Sequence, residues 1–261
     1  NKNDKKGFKM KEVSLVITSC GRFDLLERTL DSFFKYNTYP IKKVIIVEDS
    51  TEGGKLKKLV SKYKDYRFHL IINELRLGQI KSIDKAYNEV DTEYVFHCED
   101  DWEFLKEGFI EKSMEVIENN PKIAIVGLRP REDCTEIPLL ETPYFSKSGE
   151  EFFEIRDHVF TYNPGLRRKD VCDLFGSHEK LEGKLWEDEL CKFYKEKGYR
   201  MVSFKQRYVD HIGNKRHVHY SKRGKNSVLN FKTDRMIKKI RKRGNEHAGI
   251  IEKKKRIACD K

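Results

Sequence analysis

The sequence is short of the features that mark several common protein classes. None of its 261 residues falls in an apolar run approaching the about 18 needed to cross a bilayer, so the pattern predicts no membrane-spanning helix. The first six residues are polar or charged, and no secretory signal is expected there. Six prolines and sixteen glycines, with no internal repeat, exclude collagen-like and low-complexity architectures. The cysteines (Cys20, Cys98, Cys134, Cys172, Cys191 and Cys259) form no CxxC pair and no zinc-ribbon spacing. They read as free thiols in a reducing compartment. A chain of this length buries roughly 70% of its unfolded surface, so it needs neither disulfide nor metal to hold a core. There is no P-loop, no GxGxxG, no GxSxG elbow and no HExxH. Those absences remove P-loop phosphate chemistry, the dinucleotide fingerprint, the serine-hydrolase elbow and zincin proteolysis.

What is present is a charge imbalance confined to one end. The net charge is +11, yet residues 212–261 hold 17 Lys and Arg against 4 Asp and Glu, while the other 211 residues hold 37 against 39. The body is therefore near neutral, which argues against general nucleic-acid binding. The basic end points instead to an anionic ligand, a membrane surface or an acidic partner. Its last 30 residues alternate basic and apolar positions and read as a basic amphipathic helix or tail.

Hydrophobic periodicity along the body alternates between two and 3.6. Strands are predicted at 12–18, 43–47, 68–72, 94–98, 123–128, 200–204 and 208–211. Helices are predicted around 25–34, 55–63, 80–90, 108–119 and 184–197. Residues 129–165, with four prolines, read as long loops with short strands, where specificity often resides. Strands alternating with helices give an α/β chain with a mixed, mainly parallel sheet flanked by helices. Ligands bind such sheets at the carboxyl ends of the strands. Polar clusters sit at three of those ends: Ser19, Cys20 and Arg22; Glu48 and Asp49; Glu99, Asp100 and Asp101.

Three adjacent carboxylates repel one another unless a cation or hydrogen bonds offset the cost. Placed after an apolar strand, Glu99–Asp101 reads as a seat for a hard divalent ion that clamps a pyrophosphate, or else as a solvated acidic turn. Trp186-Glu187-Asp188 opens a helix, where acids favour the dipole. It reads equally as a carboxylate general base beside an aromatic wall. His211 closes a strand and precedes a basic, histidine-containing loop at 212–225. That loop is either a solvated hairpin or a lid over phosphates.

The segments SLVITSCGRFDLLERTLDSF, KVIIVEDS and LGQIKSIDKAYNEVDTEYVFHCEDDWEF, followed by WED, resemble GT-A fold glycosyltransferases, most closely the inverting family-2 group. The resemblance covers about residues 12–212. It departs from the family where EDS replaces the usual second-strand DDGS, and where the third helix shows Lys81-Ser82-Ile83-Asp84. It implies that Thr18, Ser19, Arg22, Asp49 (rather than its neighbour Glu48), Lys81 and Asp100 contact the nucleotide, with Arg76 as a further candidate. It implies that Asp101 and His211 hold Mn2+ or Mg2+, and that Asp188 is the base. Trp186, Glu187, Lys215, Arg216 and Arg223 are candidates for acceptor or phosphate contacts, the last three as part of the lid.

The reaction so implied moves a sugar from a nucleotide-diphosphate sugar, UDP preferred, to a glycan or lipid-linked acceptor. The expected organisation is a polar segment at 1–11, a catalytic domain at 12–229 and a basic helical tail at 230–261. The catalytic domain would have a nucleotide half at 12–101 and an acceptor half at 102–229. The expected location is the cytoplasm, with the tail in peripheral contact with an anionic membrane and no nucleic-acid partner. Two alternatives stand beside it: a nucleotidyltransferase that builds nucleotide sugars, and a non-enzymatic binder of nucleic acid or membrane acting through the tail.

Overall fold

In a computed structural model, residues 10–134, 143–154, 158–181, 186–213 and 216 are described. The tail at 230–261, the lid candidates Lys215 and Arg223, and residues 1–9 of the N-terminal segment lie outside the described residues. The first half alternates β1 (Val13–Ser19), α1 (Phe23–Tyr36), β2 (Ile41–Glu48), α2 (Gly53–Val60), β3 (Phe68–Ile72), α3 (Gln79–Asn88) and β4 (Tyr94–Glu99). Next come β5 (Trp102–Phe104), α4 (Phe109–Asn119), β6 (Ile123–Gly127), β7 (Tyr144–Phe145), β8 (Glu151–Glu154) and β9 (Gly165–Arg168). The order closes with α5 (Lys169–Asp173), α6 (Trp186–Glu196), β10 (Arg200–Phe204) and β11 (Val209–His211).

Nine strands form one sheet in the order β3-β2-β1-β4-β9-β6-β10-β8-β7. β1 lies at its heart, parallel to β2 on one side and β4 on the other. Every residue of VSLVITS is buried, as a strand covered on both faces requires. β1, β2, β3, β4, β6 and β10 share one direction, and β9 runs against β4 and β6 between them. β9 is a strand the periodicity does not announce. Its sequence, GLRR, puts an arginine in the middle of the sheet, and Arg167 is fully buried. Gly165 fits there because a Cβ would stand 2.6 Å from the Val126 carbonyl oxygen.

α1 buries Leu25, Leu26, Leu30 and Phe33 at helical spacing. Phe33 meets the rings of Phe34, Phe96, Phe104 and Phe109 at centroid distances of 5.1–5.6 Å, mostly edge to face. This cluster locks β4 and the following β5 against the helix. β5 was also absent from the periodicity. It pairs antiparallel with β11 in a separate ribbon that sets His211 opposite Trp102. That ribbon brings the chain's late residues back to the end of β4.

Candidate active site

The strand order reverses between β1 and β4, and the chain leaves a crevice at their carboxyl ends. Thr18 pairs in register with Glu99, so the turn Ser19–Arg22 faces Glu99–Asp101. Arg22 grips both aspartates: one guanidinium nitrogen donates closely to Asp100 Oδ1 and another to Asp101 Oδ2 at 2.7 Å. Its Nη1 also donates to the Arg216 carbonyl at 3.1 Å. His211 Nε2 lies 3.2 Å from Asp101 Oδ2. Arg216 itself pairs with Asp24 at 2.6 and 2.9 Å. Thr18, Ser19, Arg22, Asp100, Asp101, His211 and Arg216 therefore converge at one strand edge.

Burial governs the charges there. It pushes Glu99 up to about 7, helped by Asp101, and Asp100 up to about 6 despite Arg22. Burial acts the same way on Asp101, but His211 and Arg22 outweigh it and hold that carboxyl below its usual value. The hydrogen bond to Asp101 in turn raises His211.

The acids that end β2 and follow it serve the scaffold. Glu48, fully buried, accepts from Ser19 Oγ at 2.8 Å, Gly21 N at 2.9 Å and Ser50 N at 2.8 Å. Asp49 accepts from Asn73 Nδ2, Leu77 N and Gly78 N at 2.7–2.8 Å. It thereby closes the loop that leads into α3. Lys81 stands apart from the strand edge. It pairs with Glu179 at 2.8 Å beside a separate cavity of about 400 Å³ that also contains His178 and Asp84.

A second cavity, about 480 Å³, is lined by Gln79, Glu99, Tyr162, Asn163, Trp186, Glu187 and Asp188. It brings the carboxylate that ends β4 and the acids that open α6 to one space. Glu187 and Asp188 divide their work. Glu187 Oε1 accepts from Thr161 Oγ1 at 3.0 Å and Tyr162 N at 2.8 Å, whereas Asp188 is exposed on the first turn of α6. Arg167 holds the same loop from below, donating to the carbonyls of Thr161 at 2.7 Å and Asn163 at 3.1 Å and to Tyr87 Oη at 2.9 Å. Sequence reasoning did not single out Gln79, Tyr162, Asn163 or Arg167. The Asn163-Pro164-Gly165 turn was the available signal for the loop, but nothing marked its partners.

The strand-edge residues suit a divalent cation. Asp101 Oδ1 is buried with no hydrogen-bond partner, while Oδ2 faces His211. Gly213 packs against that carboxylate so closely that a Cβ would stand 2.1 Å from Oδ2. The carboxylate offers the oxygen that a hard divalent ion takes, and the imidazole adds a nitrogen beside it. Among the described residues no three such groups gather to hold an ion alone. Diphosphate oxygens and water would complete the shell, as is usual for hard cations at nucleotide sites.

The family model described as "Glycosyl transferase family 2" matches residues 14–172. A search of curated proteins finds no match. Among solved structures, the fold is similar to the mannosyltransferase PcManGT from Pyrobaculum calidifontis in complex with GDP-Man and Mn2+ (TM-score 0.62, 15% identity, covering 80% of this chain and 59% of that one). It is also similar to GalNAc-T7 with UDP, GalNAc and Mn2+ (TM-score 0.59, 13% identity, 78% and 44%). A third likeness is to S. aureus TarS 1–349 in complex with UDP (TM-score 0.56, 14% identity, 76% and 59%). The chain spans less than two-thirds of the length of each of these structures.

Proposed function

The chain belongs to glycosyl transferase family 2, and from that premise we propose that it transfers a sugar from a nucleotide-diphosphate sugar to a hydroxyl of a glycan or lipid-linked acceptor, with inversion. The observation that carries this reading is the single cavity shared by Glu99, at the end of β4, and Asp188, at the start of α6. UDP is the preferred nucleotide, in keeping with two of the three similar structures, which hold UDP.

In this reading Thr18, Ser19 and Asp100 line the nucleotide crevice, whereas Lys81, paired with Glu179 beside a separate cavity, has no part in it. Asp49 shapes the base pocket through the Leu77 and Gly78 backbone it holds. Arg22 and Arg216 offer positive charge to phosphate oxygens. Asp101 and His211 would hold Mn2+ or Mg2+, which when bound supplies the charge that stabilises the leaving diphosphate. Asp188 accepts the proton of the acceptor hydroxyl as that oxygen bonds to the anomeric carbon and the bond from that carbon to the phosphate oxygen breaks. Inversion follows from a single displacement. Cytoplasmic residence, with the basic tail against an anionic membrane, belongs to the same proposal; liposome co-sedimentation with and without residues 230–261 tests it.

The experiment for the donor site is a thermal-shift panel of UDP, GDP, dTDP and CDP with and without Mn2+, on the wild type and Asp101→Ala. Ligand at 100 times its dissociation constant stabilises by about 2.7 kcal/mol. A metal-dependent shift with one nucleotide, lost in Asp101→Ala, is expected. No shift with any nucleotide would remove the donor site from the account.

A further inference from the structure

Arg22 divides its guanidinium unevenly between the two aspartates of the donor edge. Toward Asp100 it is bidentate: Nη2 donates closely to Oδ1, and Nε donates to Oδ2 at 3.4 Å. Toward Asp101 it offers one nitrogen, Nη1, at 2.7 Å from Oδ2, and that nitrogen also donates to the Arg216 carbonyl at 3.1 Å. The Arg22 carbonyl accepts from Leu25 N at 3.0 Å and Leu26 N at 2.9 Å. The backbone is thus pinned to the first turn of α1, and the side chain is the part that can move. The oxygen it meets on Asp101 is crowded. His211 Nε2 lies 3.2 Å from Oδ2, and Gly213 packs against the same oxygen. An ion held between Asp101 and His211 would share Oδ2 with a guanidinium already bonded to it. Glu99 stands behind the aspartates, Arg129 lies within electrostatic reach of His211, and Arg216 is paired with Asp24. Among the described residues Arg22 is the cation that touches both aspartates, so its removal uncovers both.

Resting on the glycosyl-transfer reading above, we infer that Arg22 and the divalent ion compete for Asp101, and that Arg22 holds the ion's affinity down until a nucleoside diphosphate draws the guanidinium away. The diphosphate brings fresh negative charge into the crevice. Nη1 exchanges Asp101 for a phosphate oxygen, one charge-assisted hydrogen bond for another. The bidentate grip on Asp100 is the pivot for that exchange. Asp101 Oδ2 is released as the phosphate charge offsets the repulsion between guanidinium and ion. Arg22 is a positioning residue here, acting on the ion through Asp101. Nucleotide therefore raises the affinity for the ion beyond chelation by the diphosphate alone, and the ion raises the affinity for nucleotide by the same factor. An arginine that only contacted phosphate would leave the affinity for the ion alone unchanged when removed. One that only held the fold would weaken both ligands when removed.

The test titrates Mn2+ into the full chain and follows the electron paramagnetic resonance signal of the hydrated ion, which is lost on binding. Wild type, Arg22→Gln and Arg22→Lys are compared, with Mn2+ alone and with the nucleoside diphosphate selected by thermal shift. Arg22→Gln is expected to bind Mn2+ alone about 10-fold or more tightly than wild type, as removal of a cation beside the carboxylate requires. It is expected to bind nucleotide with Mn2+ about 10-fold or more weakly. Arg22→Lys keeps the charge without the fork and should stay near wild type for Mn2+ alone. The gain should vanish in Arg22→Gln/Asp101→Asn, which places it at this carboxylate. A measurement on the wild type needs no variant to fold: the proton signal of Arg22 Nε–H should stay in place with Mg2+ alone and shift with Mg2+ and nucleotide together. Mn2+ binding no tighter in Arg22→Gln than in wild type, or an Arg22 signal that shifts with Mg2+ alone as much as with both, would overturn the inference while leaving the donor site standing. A wild type that binds no nucleotide with either ion would overturn the underlying reading.

Discussion

Gly213→Ala is the sharpest structural perturbation available near the donor edge. Gly213 follows β11, and the neighbouring Ile212 N donates to the Asp101 carbonyl at 2.9 Å. A Cβ at 213 would stand 2.1 Å from Asp101 Oδ2, 2.7 Å from its Cγ and 2.8 Å from its Cβ. Three atoms of one buried side chain would be struck together, so rotating the carboxylate does not relieve the contact. Either Asp101 or the backbone after β11 must move by about 1 Å to reach ordinary contact distance. Such overpacking costs about 1–3 kcal/mol. The same movement takes Asp101 Oδ2 out of reach of Arg22 at 2.7 Å and His211 at 3.2 Å. Misplacement by about 1 Å is enough to lower catalysis about 100-fold. Urea denaturation and metal-dependent nucleotide binding on the purified variant provide the assay. We expect lower stability together with weaker Mn2+-dependent binding. Wild-type stability with unchanged metal dependence would show that Gly213 does not press on Asp101, and the geometry of the cation seat would have to be redrawn.

Three further predictions concern the scaffold. Arg167→Met removes the donors to the Thr161 and Asn163 carbonyls and to Tyr87; urea denaturation should show a loss of about 3 kcal/mol, with kcat falling more than donor KM, and Arg167→Lys should recover only part of it. Phe33→Ala empties the centre of the aromatic cluster and should cost about 3–5 kcal/mol with little change in denaturant slope. Asp84 is held down to about 2, against burial, by His178, Ser177 and the His178 backbone N–H. A depressed carboxyl stabilises above its unfolded value and loses that contribution as pH falls through the folded one. Asp84→Asn should therefore cost about 2 kcal/mol at pH 6, with the gap to wild type closing between about pH 4 and pH 2.

The strands around the site were legible because a parallel strand buried on both faces must be a continuous apolar run. VSLVITS and the VIIV of β2 meet that demand, and the polar residues that end them, Ser19–Arg22 and Glu48–Asp49, mark the sheet edge. β9 escaped because its two arginines look like surface residues until backbone carbonyls and Tyr87 are found to take the charge of Arg167. β5 escaped because three residues carry no period, and its partner strand is about 100 positions away. The same long-range pairing seats His211 on Asp101. The sequence motif named both residues through its resemblance to a family, while the contact itself depends on the ribbon. Lys81 shows the converse. It lies two positions after Gln79, which lines the cavity with Glu99, yet its side chain reaches Glu179 beside a separate cavity.

The most direct test of the account is the anomeric configuration of the product, followed by proton NMR from the first turnover, in wild type and Asp188→Asn. The donor is the sugar nucleotide of the class found by thermal shift, and the acceptor is a methyl glycoside. The account predicts an inverted product with the wild type and a loss of transfer by at least about 100-fold in Asp188→Asn, as removal of a general base requires, with nucleotide binding intact. A product that retains the donor's configuration, or an Asp188→Asn enzyme that transfers at the wild-type rate, would contradict it.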